Sequence, residues 1–236
     1  MKQFGEGWYG SEFMTILAAW ADGVDRAVIY ADSEVYRAHE GAPFQHRPKL
    51  AVNALACAVG AGTGMSVILR GADEAMADAA TFDDIPDLVA RALRREVSRC
   101  AGLFDKDPSA GAPSYVTVGW SGSANRFLAY TYEIWNFFSP MLCATHWAPA
   151  IERSVCWRPI SERELLTAAR EQVEVIRHSM PGTGAGTLTV AELRPGFIAV
   201  RAIPGFSLPD PDDRPQVPRE AAPAEAEPER ITADVE

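Results

Sequence analysis

Residues 14–64 read MTILAAWADGVDRAVIYADSEVYRAHEGAPFQHRPKLAVNALACAVGAGTG. Two β-hairpins fit this stretch. Thr15–Ala21 is a β-type run, Asp22-Gly23 is a turn signal, and Ala27–Ala31 is the returning strand, with Val28, Ile29 and Tyr30 favouring extended backbone. The polar segment 37–48, with Gly41, Pro43 and Pro48, reads as a loop. Leu50–Val52 and Ala56–Val59 then form a second hairpin around Asn53. A glycine-rich turn over Gly60–Gly64 is expected to lead into a helix. Three reactive side chains stand at separated points of the stretch: Thr15 at the start of the first strand, Asp32 closing the second, and Lys49 opening the third.

Downstream, apolar residues recur at three- and four-residue intervals over Met65–Ala80, a helical period. Asp83-Asp84-Ile85-Pro86 starts a second helix, with an aspartate cap and proline in the first turn. Its apolar face is Leu88, Val89, Ala92, Leu93 and Val97; Arg91, Arg94, Arg95 and Arg99 form a solvated face. Asp105–Pro113 is a loop. Ser114–Trp120 and Arg126–Tyr132 are alternating strands joined through Ser121-Gly122-Ser123, and Phe137–His146 is a strand broken by Pro140. Ser161-Glu162-Arg163-Glu164 is a capping box opening a helix to about His178. After the glycine loop Pro181–Gly186, Thr187–Leu193 and Phe197–Ile203 pair around Arg194-Pro195-Gly196. Strands grouped apart from helices argue an α+β fold. Two antiparallel sheets facing each other, with helices outside, would bury these elements economically.

Composition bounds the function. The chain has 236 residues and a net charge of −10, which argues against a nucleic-acid backbone as partner. From Pro209 onward there are nine acidic and three basic residues, −6 of that −10, with almost no large apolar side chains. This Pro/Ala/Glu tail, 209–236, is expected to be disordered. No apolar run approaches the roughly 18 residues that span a membrane. Cys57, Cys100, Cys143 and Cys156 make no C-x-x-C pair and read as buried reduced thiols, which suits a cytoplasmic compartment. His39, His46 and His146 read as polar surface histidines. Neither a metal site nor a cofactor is expected.

The chemistry that Thr15, Asp32 and Lys49 can supply is specific. A threonine hydroxyl is a poor nucleophile near neutral pH and needs a base. A free α-amino group on the same residue has an unperturbed pKa of about 7.7–8.0 and suits that task. A lysine ammonium nearby would lower that pKa by like-charge repulsion, and a carboxylate would hold the lysine charged and in place. The tetrahedral oxyanion needs a backbone N–H donor, for which Gly62 is the candidate. Each residue also has a plain structural reading: a threonine starting a strand, an aspartate after one and a lysine in a loop are all ordinary.

The stretch resembles the N-terminal half of proteasome β-type subunits and of their simpler bacterial relative, the ring peptidase paired with an ATP-driven unfoldase. Those proteins place a threonine on the first strand, turn at a glycine, and reach an A-x-D-[ST]-type motif. A lysine and an A-G-type turn before two helices follow. Here the matches are Thr15, Gly23, Ala31-Asp32-Ser33, Lys49-Leu50 and Ala61-Gly62. The resemblance implies an N-terminal-nucleophile (Ntn) hydrolase fold, a four-layer αββα sandwich over residues 15–208. It also implies a threonine-type peptidase or amidohydrolase acting on a peptide or protein substrate, self-association into a homo-oligomer, and an ATP-dependent unfoldase as partner. There are departures. Ile16 stands where the family usually has a second threonine. Met14 stands where self-processed members have glycine, so initiator removal is the expected route to a free Thr15, with residues 1–14 a propeptide, linker or start-site artefact. Leu142–Trp147 stands where the family has G-S-G-[SG], which makes Thr145 the candidate helper hydroxyl. The alternative class is a structural protein that keeps this fold without catalysis, as proteasome α-type subunits do.

Overall fold

The computed structural model describes residues 15–21, 23–36, 43–46, 48–104, 112–151, 161–179 and 186–206. The expectations for 1–14, for the acidic tail, for most of the 105–113 and 181–186 loops, and for His39 and Cys156 fall outside these residues.

The described chain is α+β, with two five-stranded antiparallel sheets. The first sheet has the order β10-β1-β2-β11-β12 and is built from β1 (Leu17–Ala21), β2 (Ala27–Asp32), β10 (Thr145–Ala148), β11 (Thr187–Arg194) and β12 (Phe197–Pro204). The second has the order β5-β6-β7-β8-β9, from β5 (Ala51–Asn53), β6 (Ala58–Thr63), β7 (Ser114–Ser121), β8 (Arg126–Glu133) and β9 (Met141–Cys143). Three helices of three turns or more are α1 (Ser66–Ala77), α2 (Ile85–Arg99) and α4 (Glu162–Ser179); α3 (Ala101–Phe104) is a single turn. No described helix is long and apolar enough to cross a membrane.

Period-two alternation divides each strand between two apolar clusters. In β1, Leu17 and Ala19 join Ile29, Val59, Val116, Val118 and Phe127 in a cluster shared by both sheets. The alternate residues Ile16, Ala18 and Trp20 pack instead with Leu165, Ala169, Val173 and Ile176 of α4. On the second sheet Tyr115 and Tyr132 pack with Ile68, Ala72 and Met76 of α1 and Val89 and Leu93 of α2. Gly23 at the β1–β2 turn accepts a backbone hydrogen bond from Phe127 N–H, and Cys57 Sγ lies 3.6 Å from Arg194 O. Turns of the two sheets therefore meet at one end. Thr15, at the start of β1, belongs to the opposite end.

Several expectations change. The loop expected over 37–48 contains β4 (Pro43–His46), paired with β3 (Glu34–Tyr36). The expected strand through Phe137–His146 is two strands in two sheets: β9 pairs with β8, and β10 pairs with β1. Ala144, between them, is where the chain changes sheet, and its carbonyl accepts from Ala21 N–H. The expected glycine turn is strand through Thr63, and only Gly64 turns, at φ +106°. Gly60 and Gly62 are needed in the strand because α1 and Tyr115 lie directly on it. A Cβ at Gly60 would sit 2.7 Å from Met76 Sδ, and one at Gly62 would sit 2.6 Å from Leu69 Cδ2. Of the two aspartates, Asp84 stands at the N-cap of α2, without a side-chain cap bond, and Asp83 turns elsewhere. It accepts from Ser121 Oγ (2.6 Å) and Ser123 N–H (2.9 Å), which holds its carboxyl below the usual range, while Thr81 and Asp84 form the capping box. The capping box at Ser161 and Glu164 is present as expected.

Candidate active site

Backbone direction explains how the cluster at Thr15 is assembled. Asp32 N–H donates to Ile16 O at 3.0 Å, so the even residues of β1 face β2. The partner N–H of Ile16 is taken by Asp32 Oδ1 at 3.0 Å. The carboxylate of Asp32 is thereby fixed at the end of the β1–β2 ladder. Lys49, at the entrance to β5 in the other sheet, donates from Nζ to that same Oδ1 at 2.8 Å and to Thr15 Oγ1 at 3.0 Å. The side chains of Lys49 and Asp32 are only 9% and 3% exposed, and Thr15 is buried. A low-dielectric setting strengthens both charge-assisted bonds and makes an unpaired partner costly.

Gly62 stands on the same side of its sheet as Lys49. Trp120 N–H donates to Cys57 O, so the N–H of the next residue, Ala58, points towards β5. Alternation carries that direction to Gly60 and Gly62. Gly62 and Tyr115 are consequently a non-hydrogen-bonded pair of β6 and β7. The β5 ladder ends at Ala51↔Gly60, so the Gly62 N–H, which points to the β5 side, lies beyond the last ladder pair.

Thr145 lies elsewhere. It pairs with Trp20, five positions along β1 from Thr15 and so roughly 17 Å away. The structure does not bring it to the cluster, because Ala148 rather than Thr145 pairs with Leu17. The ladder ends at Leu17↔Ala148, before a cis peptide bond to Pro149, so β10 itself brings no hydroxyl to Thr15.

Two side chains that the sequence reading left unassigned support this end of the fold. Ser33 Oγ accepts from Thr187 N–H at 3.1 Å, tying the end of β2 to β11. Gln172, fully buried on α4, donates to Leu17 O (3.0 Å) and Pro149 O (2.9 Å) and accepts from Tyr30 Oη at 2.7 Å. Burial, then the charge of Glu171, pushes the Tyr30 phenol well above its usual pKa, so it stays a donor. A glutamine within the apolar face Leu165, Ala168, Ala169, Val173, Ile176 was the available signal.

His146 corrects an expectation. It is half-buried rather than on the surface: its Nε2 is buried with no partner among the described residues, and desolvation pulls its pKa down to about 4. The reason is its place on β10, opposite Ala19, whose side chain belongs to the shared apolar cluster. Of the cysteines, Cys100 is buried, while Cys57 and Cys143 are part-exposed. Burial, then the charge of Glu133, raises the Cys143 thiol to about 11. Among the described residues no group of three or more His, Cys, Asp or Glu side chains gathers as metal ligands would.

In comparisons with known proteins, no family model matches the chain and no curated protein matches it.

Proposed function

We propose that this chain is a threonine-type Ntn hydrolase, cleaving peptide or amide bonds with Thr15 as an N-terminal nucleophile. The observation that carries this reading is the Lys49 ammonium bridging Thr15 Oγ1 and Asp32 Oδ1. A lysine in that position stabilises negative charge developing on the hydroxyl oxygen, and Asp32 keeps the lysine charged and aimed. Thr15 Oγ attacks the carbonyl carbon and its proton passes to the Thr15 amine. The oxyanion takes the Gly62 N–H, and the amine then delivers the proton to the leaving nitrogen. Water hydrolyses the resulting ester.

The fold proposed with it is the four-layer αββα sandwich over residues 15–208. The shared cluster of the two sheets and the separate clusters under α4 and under α1 and α2 support that stacking. A reducing, cytoplasmic compartment, a homo-oligomeric state and an ATP-dependent unfoldase as partner belong to the same proposal.

The mechanism requires that nothing precede Thr15. N-terminal sequencing and intact mass of the protein from its native host test it, together with covalent labelling by a β-lactone. A mature chain starting at Thr15, labelled in the wild type and not in Thr15→Ala, is the expected result. A second reading, a non-catalytic protein of this fold, is favoured by one observation: Thr145, the candidate helper hydroxyl, pairs with Trp20 and is remote from Thr15. A mature chain that retains Met14 selects that reading.

A further inference from the structure

Among the described residues, the first sheet ends in an edge strand, β12, whose protection is limited to one charged side chain and a terminal proline. β12 runs eight residues, Phe197–Pro204, in unbroken register with β11 and without a bulge. Natural edge strands of this length are blunted by lysines, bulges, inward charges or a covering element. Here the residues are FIAVRAIP, with one charge, Arg201, which is paired with Glu162 of α4. Phe197 is 58% exposed on one face and Val200 49% exposed on the other. The described chain then leaves the edge: Arg170 Nε of α4 donates to Phe206 O, and Phe206 is buried against α4.

The free hydrogen-bonding groups of this edge can be named. Gly205 N–H donates to Gly186 O, so Pro204 O points outward, and alternation makes Ile198, Val200 and Ala202 the outward-facing residues. We propose that β12 pairs antiparallel with β12 of a second copy of this chain, about a twofold axis at Val200, joining two first sheets into one ten-stranded sheet. The occupant follows from self-complementarity. With the axis at Val200, Ile198 pairs with Ala202 of the other copy and Val200 with its own counterpart, so every outward N–H meets an outward carbonyl. Arg201 falls opposite Ala199 and Phe197 opposite Ile203, a large side chain against a small one and an apolar one against an apolar one. Moving the axis to Arg201 would set two guanidinium groups against each other and oppose Ile198 with Pro204, which has no N–H to donate.

Cysteine scanning tests this on the full-length chain. Val200→Cys places two sulfurs across the axis in a hydrogen-bonded pair, with Cα atoms about 5.5 Å apart, inside disulfide range. Ala199→Cys faces Arg201 instead and lies beyond it. Mild oxidation is expected to give a cross-linked dimer with Val200→Cys and none above the wild-type background with Ala199→Cys. Val200→Pro removes one outward N–H without touching the β11 ladder, and is expected to halve the mass measured by light scattering while the circular dichroism spectrum is retained. Equal cross-linking at both positions, or none at Val200→Cys, overturns the proposal, as does an unchanged mass for folded Val200→Pro. A Val200→Cys cross-link that appears only after residues 209–236 are deleted also overturns it, since the tail would then be the occupant.

Discussion

Lys49 Nζ stands 3.0 Å from Thr15 Oγ1 across 34 residues of chain, joining a strand of one sheet to the entrance of the other. Asp32 Oδ1 takes both that ammonium and the Ile16 N–H, so one carboxylate sets the position of the lysine and the path of the backbone beside the threonine.

Removing the lysine charge tests the cluster twice over. Lys49→Ala is expected to lower peptidase turnover by about 100-fold or more, and to cost about 3–5 kcal/mol of stability by removing the ammonium from the buried Asp32 carboxylate. Lys49→Met with Asp32→Leu is expected to regain most of that stability without regaining activity. Urea titrations of the three proteins measure this. A double variant no more stable than Lys49→Ala would show that the pair is not what stabilises the cluster.

Gly62→Ala addresses the oxyanion donor. The added methyl would lie 2.6 Å from Leu69 Cδ2 and 2.7 Å from both Ser114 O and Tyr115 Cδ2. One of these neighbours is backbone and cannot swing away, so β6 must shift. The expected outcome is a loss of about 1–3 kcal/mol and a fall in turnover with little change in KM. Wild-type turnover in a folded Gly62→Ala protein would remove Gly62 from the mechanism.

Gln172→Leu keeps the volume of the side chain and removes its hydrogen bonds to Tyr30, Leu17 and Pro149. A destabilisation of about 2–4 kcal/mol is expected, because the Tyr30 hydroxyl and two carbonyls lose a buried partner. Thermal unfolding of the variant reads this directly. A melting temperature within a degree or two of wild type would argue that water replaces the amide.

His146 makes stability depend on pH. Its folded pKa, about 4, lies below the ordinary 6.5, so the unfolded chain takes up the proton first as the solution is acidified. The contribution is fully present above about pH 7 and is lost as pH falls from there towards about 4, by at most about 3 kcal/mol. Denaturation midpoints compared across that window should fall with decreasing pH in wild type and fall less steeply in His146→Gln. A wild-type slope that survives the substitution would assign the dependence to other groups.

Much of the secondary structure could be read without coordinates. The run Val28-Ile29-Tyr30 marked β2, the three- and four-residue apolar period marked α1 and α2, and Ser161 with Glu164 marked the start of α4. These signals are short-range: propensity, periodicity and capping act within one or two turns of chain. For the same reason Thr15, Asp32 and Lys49 could be chosen as residue types in a suitable order, and the hairpin that joins the first two was visible at Asp22-Gly23.

The tertiary structure decided which of those residues meet. Contact between the two sheets places Lys49 on Asp32, and strand register leaves Thr145 opposite Trp20; both are set by packing between distant segments rather than by the residues of either strand. The same holds for Ala144, where the chain leaves one sheet for the other, for the burial of His146 against Ala19, and for Gly60 and Gly62. Locally those glycines spell a turn. In the fold they are strand residues without side chains, because a helix and a tyrosine occupy the space a Cβ would need.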